Sequence, residues 1–110
     1  MHEQNKSLIE ILSRCAAVCS HCATACLDED DVKMMARCIK LDIDCAEICG
    51  LAASFAARGS EYADHILNEC SEICIACADE CSKHSQMEHC RKCAETCREC
   101  AEACHSGVAA

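Results

Sequence analysis

Small and apolar residues return along this chain at alternating steps of three and four, the spacing that gathers them on one face of an α-helix. Four such stretches are separated by short polar breaks, and they predict helices over about 7–27, 31–58, 60–83 and 86–105. Proline is absent and only Gly50, Gly59 and Gly107 relax the backbone, which suits long helices. Ser7 with Glu10, and Ser85 with Glu88, read as capping boxes. Asp28, Asp30 and Asp31 crowd the second start, where negative charge favours a helix N-terminus, and Arg58-Gly59-Ser60 reads as a basic last turn, a left-handed stop and a new N-cap. Connections this short predict an all-α fold, an antiparallel up-down-up-down four-helix bundle forming a single domain over 1–110.

The residue that returns is cysteine. The first stretch carries Cys15, Cys19, Cys22 and Cys26, and the third repeats those steps with Cys70, Cys74, Cys77 and Cys81. The fourth has Cys90, Cys93, Cys97, Cys100 and Cys104, while the second has Cys38, Cys45 and Cys49 with Asp42 where another would keep the rhythm. All 16 cysteines fall on seams that point at the other helices, so the core is expected to be cysteine-lined. One or two would be ordinary packing, since cysteine buries well. Sixteen, beside one Phe, one Tyr, no Trp and only fourteen Leu plus Ile, are too many for that. The halves 1–58 and 60–105 each read as a helical hairpin, as if one unit were duplicated.

Height along the bundle sorts the remaining residues. The cysteines fill a column roughly 25 Å long at 1.5 Å per residue. Leu8, Leu12, Leu51, Phe55, Tyr62 and Ile66 are expected to converge as an apolar plug at one end. At the other end stand Met34, Met35, Met87, His21, His84 and His89, candidate soft or borderline donors for arriving ions. Met35 and Met87 equally read as gap-fillers, and the histidines as surface residues. Asp42 reads either as a polar residue that fixes register or as an oxygen donor.

Net charge is −9, which argues against nucleic acid as a partner. The sequence is read as having no long apolar stretch, so nothing is expected to span a membrane, and the opening residues lack a signal-peptide core, so a cytoplasmic location is expected. In that compartment thiols stay reduced, and dense cysteine points to metal rather than to disulfides. Thiolate-rich sites select Cu(I), zinc or iron–sulfur clusters. Charge separates them: each Cu(I) that displaces one proton leaves a neutral unit, whereas zinc at four thiolates leaves two excess negative charges in a dry core. Cu(I) held at i,i+4 cysteine pairs is therefore the leading expectation. Iron–sulfur or thiol redox electron transfer, and a disulfide-stabilised structural bundle, are the alternatives. No nucleophile–base constellation points to an enzyme.

The combination of Ala16–Cys26, Cys45–Cys49, Cys70–Cys77 and Cys90–Cys104, built together from C-x-x-x-C and C-x-x-C steps, resembles the cytosolic copper storage proteins. The resemblance covers essentially residues 7–105. It implies a four-helix bundle whose ligands are all 16 cysteines, with many Cu(I) ions loaded through one open end. It further implies assembly as a homotetramer and exchange with copper donor or acceptor proteins. Asp42, with only three cysteines on the second helix, departs from a fully cysteine-lined wall. Ile11, Val18, Ile39, Ile43, Ile73 and Ile75 lie partly off the seams, an apolar surface that fits such an assembly.

Overall fold

The computed structural model describes the backbone of residues 3–109 and the side chains of residues 5–107. Four α-helices follow one another: α1 (Glu3–Leu27), α2 (Ala36–Arg58), α3 (Ala63–Ser82) and α4 (Glu88–Ala109), with a single 3-10 turn at Val32–Met35. Each helix packs on its two neighbours in the order α1, α2, α3, α4 and back to α1, which is the square of an antiparallel bundle. The particle measures 44 × 18 × 17 Å.

The first three stops fall close to expectation and the starts shift. Gly59 ends α2 in the left-handed conformation, φ 63°. The Gly59 N–H donates to the Ala56 carbonyl and the Ser60 N–H to that of Phe55, both at 3.1 Å, the paired closure of a Schellman motif. At the first helix the expected Ser7–Glu10 capping box does not form. Glu3, Gln4 and Lys6 are good helix formers that carry α1 a turn further back, leaving Ser7 exposed inside the helix. Asn5 then reaches the last turn of α2, its Nδ2 donating to the Ala56 carbonyl at 3.2 Å. The acidic turn caps the 3-10 segment rather than α2 itself, the Asp31 carboxylate accepting from the Met34 N–H. Ser60 accepts from the Tyr62 N–H, so α3 begins three residues later than expected, at Ala63. Helix α4 begins at Glu88 and continues past 105 to Ala109. Gly107 lies inside it, where an added Cβ would come within 3.3 Å of Leu8.

The apolar plug exists but its membership differs. Leu8 and Leu12 are buried and Phe55 and Ile66 half-buried, as expected, yet Leu51 is 44% and Tyr62 59% exposed. Ile11, Ala52, Ala56 and Leu67 take their places. The seam rule explains the exchange: three and seven residues beyond Cys49 lie Ala52 and Ala56, and three before Cys70 lies Leu67, whereas Leu51 is turned away. Ile11 therefore belongs to the interior; Val18, Ile39 and Ile73 are half-buried, and Ile43 and Ile75 face outward. With so many small residues the plug is thin, and a cleft of about 600 Å³ opens there between Leu8, Ile11, Leu67 and Gly107.

The expectation that no stretch suits a membrane needs correction. The 23-residue segment Asn5–Leu27 is long and apolar enough by length and composition, with mean hydropathy 1.2. Much of that hydropathy comes from the cysteine and leucine face that α1 turns toward α2 and α4.

Because the plug supplies the large buried side chains, Leu12→Ala is expected to destabilise the reduced, metal-free protein by about 2–5 kcal/mol. Tyr62→Ala should stay within about 0.5 kcal/mol in the same anaerobic urea titration.

Candidate metal centre

Seam spacing sets the site. Every one of the 16 cysteines is fully buried, and all are free thiols. Within a helix, i,i+4 neighbours bring sulfurs to 3.9–4.0 Å, as at Cys15/Cys19, Cys22/Cys26, Cys45/Cys49, Cys70/Cys74 and Cys93/Cys97. Between helices the approach is as close or closer. Cys19 lies 3.5 Å from Cys97, Cys45 lies 3.6 Å from Cys74, Cys49 lies 3.7 Å from Cys70, and Cys38 lies 3.3 Å from Cys81. The thiols thus form a three-dimensional ladder instead of four parallel strips. Quartets whose ligand atoms all lie within 4.8 Å of one another recur along it, among them Cys15/Cys49/Cys74/Cys100 and Cys19/Cys77/Cys93/Cys97.

Asp42 does not leave a gap in the wall of α2. It is fully buried, and its Oδ1 accepts from the thiols of Cys77 (3.1 Å), Cys93 (3.3 Å) and Cys81 (3.6 Å). Burial, reinforced by the negative charge Cys93 and Cys77 would carry, pushes its carboxyl up to about 11. Asp42 is therefore a neutral carboxylic acid at neutral pH. The same physics acts on the sulfurs. Burial pushes Cys90 up to about 12, and a hydrogen bond with Cys100, aided by burial, does the same for Cys104. Where thiols touch, a shared contact holds the proton in the core: Cys81 is driven up by its hydrogen bonds to Cys22 and Cys38.

The end bearing methionine and histidine resolves into distinct roles. His89 joins the thiols, its Nδ1 lying 3.6 Å from Cys22, 3.8 Å from Cys26 and 3.5 Å from Cys90. Met35 is fully buried in the core cluster, Met87 is half-buried, and Met34 is exposed. His21 is exposed and lines a side crevice with His89 between α1 and α4. His84 is buried beside Glu80, Nε2 to Oε2 3.4 Å, and Glu80 also holds Arg37 at 3.3 Å and Lys83 at 3.2 Å. Two carboxylates at this end escaped the sequence reading. Glu80 sits one turn before His84, a signal that was available; Glu29, 3.0 Å from His89 Nε2, is sixty residues away in sequence and gave none.

Over residues 1–109 the sequence matches the model of the copper storage proteins. The chain belongs to the copper storage protein family. It is 39% identical over 95 residues to the uncharacterized cysteine-rich protein YhjQ of Bacillus subtilis, covering 86% of this chain and 87% of that one. Its fold superposes on a cytosolic copper storage protein from Streptomyces lividans caught in copper loading with five coppers, with a TM-score of 0.93 and 42% identity over 98% of this chain and 94% of that one. The Cu(I)-bound copper storage protein BsCsp3 superposes with a TM-score of 0.89 and 39% identity over 94% of this chain and 97% of that one. Against that family background the closeness of the sulfurs, with no intervening loop, is the feature of this chain suited to soft metal ions.

A pH test isolates Asp42. Its carboxyl has a raised value in the fold, so its contribution to stability is complete below the unfolded value near 4 and is lost as pH rises through about 11. Each unit between costs about 1.4 kcal/mol. Asp42→Asn, neutral throughout, is expected to make the metal-free protein more stable than the parent at pH 7, with the difference fading toward pH 4 in anaerobic denaturation curves.

Proposed function

We propose that this chain stores multiple Cu(I) ions in the cytoplasm, with the 16 seam cysteines as ligands and no catalytic step. The observation that carries the reading is the continuous ladder of fully buried sulfurs, each within 4.0 Å of a neighbour over most of its length. Such a core tolerates little net charge, and Cu(I) replacing a proton adds none. Ions arrive at the end where His89 meets Cys22, Cys26 and Cys90, with Met34, Met87 and His21 as outer donors. Met35 moves aside to admit them, and His84 steadies the turn through Glu80. The relatives support copper as the cargo, since the Streptomyces lividans protein was seen loading copper and BsCsp3 holding Cu(I).

The whole of 1–110 acts as one domain. Four copies assemble through faces that carry Ile43 and Ile75, which are 47% and 50% exposed. The acidic surface keeps nucleic acid away, and the apolar face of α1 serves the bundle rather than a membrane. Copper donor or acceptor proteins are the transient partners.

Titrating the fully reduced protein with Cu(I) under nitrogen, against a chromogenic chelator, tests this. Saturation near about one ion per thiol is expected, or somewhat fewer where sulfurs bridge. Competition should weaken as pH falls, because protons contend for the same sulfurs. Saturation at one or two ions contradicts storage, and a light-scattering mass of one chain contradicts the assembly.

A further inference from the structure

The charge argument that keeps zinc out of the deep core does not apply at its mouth. Cys22, Cys26 and Cys90 come within 3.8–4.0 Å of each other, and His89 Nδ1 lies 3.5–3.8 Å from all three. Six edges of nearly equal length describe a near-regular tetrahedron. Its centre lies about 2.3 Å from each corner, against Zn–S distances of about 2.3 Å and Zn–N of about 2.0–2.1 Å.

Charge and polarity agree with the shape. Three thiolates and a neutral imidazole leave a single net negative charge around a divalent ion, half the excess of a four-thiolate site. His89 is partly exposed, and Lys92 and His21 share its crevice, so that charge sits beside solvent and a cation rather than in the dry column. Glu29 completes the arrangement. Its Oε2, 3.0 Å from His89 Nε2, accepts the Nε2–H and leaves the Nδ1 lone pair facing the thiols. A carboxylate on the outer nitrogen of a metal-bound histidine fixes its tautomer and strengthens it as a ligand.

We propose that Cys22, Cys26, Cys90 and His89 Nδ1 form a preorganised tetrahedral site for one zinc-class divalent ion, with Glu29 as its positioning residue. The ion ties α1 to α4 and, through Glu29, to the turn that follows α1. It stoppers the column from the end where copper arrives, until Cu(I) takes the three sulfurs and releases it. The proposal rests on the reading of the seam thiols as metal ligands and extends it to a second metal.

The test uses reduced full-length protein, one equivalent of Zn2+ examined by X-ray absorption, and Co2+ as an optical probe. One nitrogen and three sulfurs around zinc, with tetrahedral d–d bands at the first equivalent of cobalt, are expected. His89→Ala should weaken that first equivalent at least tenfold. Glu29→Ala should weaken it about 10–100-fold, and Glu29→Gln, which keeps an acceptor oxygen, should recover much of the loss. Both positions are at the surface of a turn or helix start, and retained helicity by circular dichroism qualifies each variant. Four sulfurs around zinc, octahedral cobalt, or an unchanged first equivalent in His89→Ala overturns the site. A chain that takes many Cu(I) ions yet fails these tests loses the zinc site alone. A chain that passes them but saturates at one or two Cu(I) loses the storage reading alone.

Discussion

Removing a thiol from water is cheap while it keeps its proton and expensive once it ionises. Sixteen of them share one column in a particle 17–18 Å across, so the interior of this protein is governed by what limits negative charge. Asp42 obeys the same constraint. A carboxylate there would face Cys77, Cys81 and Cys93 with no cation beside it, and it is held neutral instead. Glu80 gathers Arg37, Lys83 and His84 around itself in a separate ion cluster. A monovalent soft ion that exchanges for a proton is the cargo such a core admits without electrostatic cost.

The fold and the buried cysteine seam were legible because steps of three and four leave little freedom: a cysteine at each seam position has only one direction to face. Height alone was a poorer guide. Leu51 and Tyr62 sit at the level of the plug but on the wrong side of their helices, and the seam rule itself would have selected Ala52, Ala56 and Leu67. Local signals misled where a longer-range contact won. Ser7 looks like a cap, yet Asn5 binds the end of α2 and the helix runs through Ser7. Asp31 caps the tight turn that delivers Met35 into the core, a consequence of the 3-10 geometry that no spacing in the sequence announces. Contacts such as Glu29 with His89 join residues far apart in the chain, and only packing reveals them.

The two ends of the bundle divide the work of folding and of binding. Leu8, Ile11, Leu12 and Leu67 bury aliphatic surface with no metal required, supplemented by a Schellman stop at Gly59 and the close approach that Gly107 permits. The thiol column adds packing but few large side chains. A scaffold held chiefly by its plug and helix seams can therefore keep its shape while its contents change from protons to ions. Zinc fingers show the opposite behaviour, in which metal supplies the folding energy.

The central claim is that a preformed bundle holds protonated thiols which Cu(I) replaces one for one. Counting the protons released into weakly buffered solution at pH 7 as Cu(I) is added anaerobically, with far-ultraviolet circular dichroism followed on the same sample, tests it directly. Close to one proton per ion, with helicity unchanged from the first addition to the last, is the expected result. Proton release far below one per ion, or a helical signal that appears only as copper binds, would contradict it.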